Sequence, residues 1–277
     1  MSHRSTLAVA LAALVSLLVI GPAGAAVPHR IVSLSPTATE SLFAIGAGRQ
    51  VVAVDQLSDF PKRAPRTALS GYSPNVEAIA GYRPDLVVLF GDIGDVASGL
   101  RKLGIRVLIQ EPAKGLTGAY AQIKQLGAVT GHKRTAAALV TRMKRTIRQT
   151  LTSTPRRQLS VYHELTPDFY STTSNTFIGG IYKLFGLRNI ADAADSSGSG
   201  YPQLSAEYIL SANPGLIVLA DTQCCGQSAA TLRDRPGWSG IAAVRTGAVV
   251  GIADSVASRW GPRIVDLVRA VGKALKR

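Results

Sequence analysis

The chain has 277 residues, 46% of them hydrophobic, enough to bury one or two sizeable cores. Its formal net charge is +14, but the basic residues are not interleaved with aromatics and form no nucleic-acid-binding motif, which argues for a solvated basic surface and against a nucleic-acid partner. Gly and Pro are frequent without being periodic, which excludes a collagen-like or long low-complexity organisation.

At the N-terminus His3 and Arg4 precede an apolar stretch from Leu7 to Ile20. Gly21 and Pro22 break it, and Ala23-Gly24-Ala25 supplies the small residues of a cleavage site. Residues 1–25 therefore read as a signal peptide. The stretch is short for a membrane-spanning helix, and an uncleaved anchor is the alternative. No Cys lies near this site to carry a lipid. The expected mature protein is exported to the periplasm or extracytoplasmic envelope, soluble and monomeric.

Residues 26–115 read as an N-terminal lobe. Ile31 to Leu34 suits a first strand. Ser35 to Thr39 supplies turn and cap residues, with Pro36 fit for a first helical turn. Leu42, Phe43 and Ile45 give that helix an apolar face, and Gly46 a stop. Val51 to Val54 suits a second strand. A segment then appears that returns later in the chain: residues 77–89 read EAIAGYRPDLVVL and residues 207–219 read EYILSANPGLIVL. In both, a Glu (Glu77, Glu207) precedes an Ile, a Pro and a short apolar run at the same spacing. The physical unit is a short helix, a proline stop and a buried strand. A helix ending near Leu103 and a strand at Ile105 to Ile109 follow. Strands alternating with helices predict a parallel α/β sheet.

Residues 116–155 contain no convincing strand. Apolar residues recur at helical spacing, Gly131 divides two helices, and the second reads as a long rigid connector. Its charges, Lys133, Arg134, Arg142, Lys144, Arg145 and Arg148, describe a solvated face, or else a surface for a partner or membrane. Residues 156–277 repeat the first lobe's order: a strand at Leu159 to His163, a helix at Phe177 to Phe185, the second Glu helix with its strand, a late strand at Ala248 to Ile252, and a terminal helix from Arg263. The fold class is therefore α/β, with two similar lobes joined by a long helix and a ligand cleft between them.

In open α/β sheets ligands collect beyond the carboxyl ends of the strands. That rule selects Ser35, Pro36, Thr37, Tyr72, Phe90 and Asp92 in the first lobe, and Tyr170, Asp221, Arg259, Trp260 and Arg263 in the second. Glu164, Thr222, Gln223 and Ser258 share those strand ends. Each has a plainer role: Ser35 and Thr37 as helix caps, Tyr72 and Tyr170 as core aromatics, Arg263 as an ion-pair partner. Trp238 reads as a packing anchor. Aromatic faces together with Arg and backbone N–H groups suit a large ligand with apolar faces and polar edges. The adjacent Cys224 and Cys225 allow a vicinal disulfide at a loop tip, two free thiols, or a metal or redox site, the last without CxxC spacing in support.

Taken together, IVSLSPTATESLFAIG (31–46), NVEAIAGYRPDLVVL (75–89), FIGGIYKLFGLRNIAD (177–192), YPQLSAEYILSANPGLIVL (201–219), RPGW (235–238) and SRWGPRIVD (258–266) resemble the cobalamin, siderophore and haem branch of periplasmic solute-binding proteins, the capture subunits of ABC importers. The first segment is most like cobalamin-binding members. The resemblance implies a small-molecule ligand with cobalamin ahead of a ferric siderophore or haem, no resident cofactor or metal, and no catalysis. It also implies that Glu77 and Glu207 dock onto a dimeric permease, which works with its ATPase. Zinc or manganese capture is disfavoured, because only His29, His132 and His163 remain after the signal segment. A hydrolase or cell-surface interaction module on the same fold is the alternative from another class. His163 and Glu164 are no obvious catalytic pair, since neighbours on a strand point to opposite faces.

Overall fold

A computed structural model describes residues 26–276; the expected signal peptide lies outside them. The first sheet contains β1 (Ile31–Leu34), β2 (Val51–Val54), β3 (Leu86–Leu89) and β4 (Arg106–Ile109), in the order β2-β1-β3-β4. The second contains β5 (Ser160–Glu164), β6 (Arg188–Asn189), β7 (Leu216–Leu219) and β8 (Val249–Gly251), in the order β6-β5-β7-β8. Every pairing is parallel, and the second order is the first with each strand shifted by one lobe. The sequence reading has no strand at β6, whose two residues carry no apolar run.

Parallel strands covered on both faces need continuous apolar runs. β3 (LVVL) and β7 (LIVL) supply them, with every residue buried. The Glu repeat precedes these two strands. Its helices, Val76–Ala80 and Ala206–Ala212, start at Asn75 and Ser205, whose side chains accept the N–H groups of Ala78 and Tyr208. Those caps satisfy donors that a short helix would otherwise leave to water.

Two helices link the lobes, Leu116–Val129 and Lys133–Thr152, with Gly131 between them at φ +80°. One apolar cluster runs from Leu42 and Ile45 in the first lobe, through Leu139, Met143 and Ile147 of the connector, to Val268 and Val271 of the terminal helix Ile264–Ala274. The lobes therefore share a core rather than hang on a flexible strap.

A polar clamp sits on top of that core. Glu40, in the helix Pro36–Ala44, is 3% exposed. Its carboxylate accepts hydrogen bonds from Arg259 Nη1 at 2.9 Å and from Arg263 Nε at 3.0 Å, and it pairs with Arg263 Nη2 as well. Arg259 also reaches Asp59 Oδ1 at 2.7 Å and the Leu57 carbonyl at 2.8 Å. Arg263 lies over the Phe60 ring at 4.2 Å and donates to Ser255 Oγ. Both arginines belong to the second lobe, and every lobe-one group they hold follows β1 or β2. Gly261 makes the approach feasible, since a Cβ there would meet Glu40 Oε2 at 3.3 Å.

Removing one member of a buried ion pair leaves uncompensated charge. Glu40→Ala is therefore expected to destabilise the protein by about 2–4 kcal/mol in urea denaturation, with Arg259 retaining Asp59 as a partial substitute. A loss below about 0.5 kcal/mol would show that the clamp adds nothing to the shared core.

A candidate ligand site between the lobes

The clamp closes one side of a cavity of about 580 Å³ that both lobes line. In the first lobe the strand order reverses between β1 and β3, where an open α/β sheet leaves a crevice. Ser35, Pro36 and Thr37 after β1 and Phe90 after β3 face the cavity from that crevice. Ser35 Oγ also caps the helix by accepting Ala38 N–H, so its capping role is real and coexists with its position on the wall. The loop after β2 adds Gln56, Leu57, Asp59, Arg66 and Tyr72. Gly71 lets this loop cross the sheet: a Cβ there would lie 2.6 Å from the Leu34 carbonyl and 2.8 Å from Phe90. Tyr72, 66% exposed, consequently stands 4.9 Å from Phe90 between ring centroids. The pair makes an open aromatic wall.

The second lobe supplies the facing wall from beyond β7 and β8: Gln223, Cys224, Asp254, Ser255, Ser258, Arg259 and Trp260. Trp260 is held in orientation by its indole N–H, which donates to Gln122 Oε1 at 2.8 Å. Cys224 and Cys225 are bonded to each other in the short helix Thr222–Cys225. The carboxylate of Asp254 fastens that turn, accepting Gln223 N–H at 2.9 Å and Cys224 N–H at 2.8 Å. Asp254 is thus committed to the backbone, as Arg259 is to the clamp. Arg66 is different. It is exposed on the cavity wall, and no ion pair among the described residues includes it.

Gln223 and Ser258, which share the strand ends, line the cavity, and so do seven of the eleven residues that the strand-end rule selects: Ser35, Pro36, Thr37, Tyr72, Phe90, Arg259 and Trp260. Four do not. Asp92 accepts the N–H of Ala97 at 2.9 Å and so serves the first turn of the next helix, Val96–Lys102. Tyr170 is carried away by a turn after β5, in which Leu165 N–H donates to its carbonyl, and it bridges to Gln203. Arg263 is spent on Glu40 and Phe60. Asp221 lies beneath the surface, fully buried.

The reason for this asymmetry is a plug at the second lobe's own strand-order reversal. Glu164, at the end of β5, receives Arg235 through two hydrogen bonds, Nη1 to Oε2 at 2.7 Å and Nη2 to Oε1 at 2.6 Å. Arg235 also binds Gln227 and lies 4.5 Å from the Trp238 ring, with Trp238 1% exposed. Burial pushes the Asp221 carboxyl up to about 7, and the negative charge of Glu164 adds to the effect. Neither Asp221 oxygen has a hydrogen-bond partner among the described residues. His163 is also buried, against the Tyr182 hydroxyl, and desolvation pushes it down to about 3. A neutral imidazole sealed in the core cannot act as a base toward anything in the cavity.

The sequence reading missed the cavity residues Gln56, Leu57, Asp59 and Arg66 of the β2 loop, Asp254 and Ser255 after β8, and Arg235 of the plug. The strand-end rule applied to β2 would have found Gln56, Leu57 and Asp59. Arg235 opens the RPGW segment, and its partner Glu164 lies 71 residues away in the sequence. Among the described residues no group of three or more His, Cys, Asp or Glu could hold a metal ion.

Comparison with known proteins matches residues 31–256 to the family model described as periplasmic binding protein. An uncharacterized ABC transporter substrate-binding lipoprotein of Bacillus subtilis is 30% identical over 90% of this chain and 80% of its own length. A cobalamin-binding protein of Halobacterium salinarum is 30% identical over 89% of this chain and 69% of its own length. Among solved structures, the periplasmic haem-binding protein HutB of Vibrio cholerae superposes with TM-score 0.78 at 22% identity, covering 90% of this chain and 99% of that one. The periplasmic vitamin B12 binding protein BtuF of the same organism gives TM-score 0.74 at 23% identity, covering 90% and 97%. At those identities the structures speak for the fold, which is the same two-lobed one.

The Asp221 carboxyl yields a pH test. Its folded pKa lies above the unfolded value, so the folded state holds a proton that the unfolded state has released. Its stabilising contribution is complete below about pH 4 and is lost as pH rises to about 7. Asp221→Asn, which keeps the shape without the charge, should raise the melting temperature relative to wild type increasingly from pH 5 to pH 8. A constant difference across that range would show that Asp221 is ionised throughout.

Proposed function

We propose that this chain, which belongs to the periplasmic binding protein family, captures cobalamin outside the cytoplasm and delivers it to the membrane permease of an ABC importer. The observation that carries the reading is the chemistry of the interlobe cavity. Tyr72, Phe90 and Trp260 offer flat apolar area. Gln56, Gln223, Ser35, Ser255 and Ser258 offer amide and hydroxyl groups. Among the described residues Arg66 is the lining cation without a carboxylate partner. A corrin edged by amides and carrying a single phosphodiester matches that set. A ligand with several carboxylates would ask for more uncommitted cations, which favours cobalamin over haem or an anionic ferric siderophore. The similarity to a cobalamin-binding protein along most of the chain supports the same choice.

Delivery needs a second surface. Glu77 and Glu207 are both exposed and occupy the second residue of equivalent helices in the two lobes. Its own backbone N–H, with the Ser205 hydroxyl, holds the Glu207 carboxyl below the usual range and keeps it charged. A pair of acids related by the lobe repeat fits a two-fold symmetric permease carrying matched cations. Such contacts set orientation and encounter rate more than affinity.

Calorimetric titration with cyanocobalamin should show saturation near one ligand per chain, with fluorescence change reporting Trp260. Trp260→Ala should weaken binding by about 1–3 kcal/mol, as removal of a central aromatic anchor does. Absence of binding at high micromolar cobalamin or cobinamide would reject the ligand. A Glu77→Ala, Glu207→Ala double variant should bind cobalamin normally and lose permease docking; normal uptake by that variant would reject the docking role.

A further inference from the structure

The charge of this protein is concentrated, not spread. From Pro112 to His163 there is no Asp or Glu, while ten Lys or Arg fall there; the remainder of the chain sets 21 Lys and Arg against all 17 acids. The span includes the connector helix Lys133–Thr152. On that helix Ala136, Leu139, Val140, Met143 and Ile147 are buried. Arg134, Arg142, Arg145 and Arg148 are exposed on the outward side, and Lys133 and Lys144 are exposed on its flank, Lys144 lying 5.3 Å from the centre of the Tyr120 ring in the neighbouring helix. None of these six belongs to an ion pair among the described residues. Like charges at such spacing repel and weaken the helix, so local stability does not account for them.

The helix also lies away from the cleft. Near its start, Thr135 Oγ1 donates to the carbonyl of Ile45, at the far end of the helix whose first residue, Pro36, lines the cavity. Near its end, Thr150 packs against Gly272 in the last turn of the terminal helix, which begins just after Arg263 of the clamp. Those two helices are about 13 and 16 Å long, and the connector meets both at the ends remote from the cavity.

We infer that the outer face of the Lys133–Thr152 helix is a docking surface for anionic lipid headgroups, holding the protein on a membrane with its cleft open to solution. The face is a convex cylinder with small residues, Ala137, Ala138 and Thr141, between its long cations. Its exposed positions carry neither an aromatic nor a large apolar side chain, the anchors that a specific protein partner would use. A plane of mobile negative charge needs neither. Lys and Arg near such a surface attract it additively, and the attraction is screened by salt, so the hold is releasable. No residue of this helix lines the cavity, so the inference stands apart from the ligand assignment.

The test is co-sedimentation of the purified protein with phosphatidylcholine vesicles containing none, a quarter or a half phosphatidylglycerol. Binding should appear with phosphatidylglycerol, grow with its fraction, and fall steeply between roughly 0.1 and 0.5 M salt. The variant R142Q/K144Q/R145Q/R148Q should lower the partition coefficient by about two to three orders of magnitude at low salt while binding cobalamin as wild type does. A control that removes four exposed cations elsewhere, K62Q/R101Q/K102Q/R233Q, should change it less than tenfold. The inference is overturned if phosphatidylglycerol vesicles are not bound, if both vesicle types bind equally, if both variants lose binding alike, or if soluble heparin is bound while the vesicles are not.

Discussion

The structure depends on a single buried carboxylate. Glu40 belongs to the first lobe, yet both of its cationic partners, Arg259 and Arg263, come from the second. A charge in that position is costly unless its lone pairs are filled, and here two guanidinium groups fill them. The consequence is geometric. With the apolar cluster that runs through the connector helix, the clamp fixes the distance between the two walls of the cavity. The site is then a preformed slot, not a mouth that must close over its ligand, and little conformational freedom remains to be lost on binding.

A second buried ion pair, Glu164 with Arg235, explains how the lobes diverged in use. By strand order they are equivalent. In the first lobe the crevice between β1 and β3 opens into the cavity through Ser35, Thr37 and Phe90. In the second the matching crevice is filled by Glu164 and Arg235, backed by Asp221 and Trp238. Its contribution to the cavity comes instead from the Cys224 turn and from the Asp254–Trp260 segment that carries the clamp. One lobe offers its switch point to solvent and the other seals it with an ion pair.

Much of this was legible in the residues, for identifiable reasons. The Glu–Ile–Pro repeat exposed the duplication because each copy encodes a local unit whose cap, stop and apolar run act over a few residues. The break at Gly131 was visible because it interrupts a strong 3.6-residue period. Seven cavity residues followed from the rule that ligands gather at strand ends. The failures share a different cause. Arg263 and Asp221 sit near strand ends too, but the Glu40 that takes Arg263 and the Glu164–Arg235 pair beside Asp221 are set by tertiary packing, whereas Asp92 is taken locally by the N–H of Ala97 five residues on. Glu40 in particular is 223 residues from Arg263, and nothing near it in the sequence marks it as the centre of a clamp.

The proposed binding mode places one cobalamin in the slot between two lobes that stay in place. Hydrogen–deuterium exchange with and without saturating cyanocobalamin tests it directly. Added protection is expected in the segments around Ser35–Thr37, Gln56–Asp59, Gly71–Tyr72, Gln223–Cys225 and Asp254–Trp260, with the connector helix and β5 unchanged. Protection confined to one lobe, or spread through the connector as the lobes shift, would contradict it.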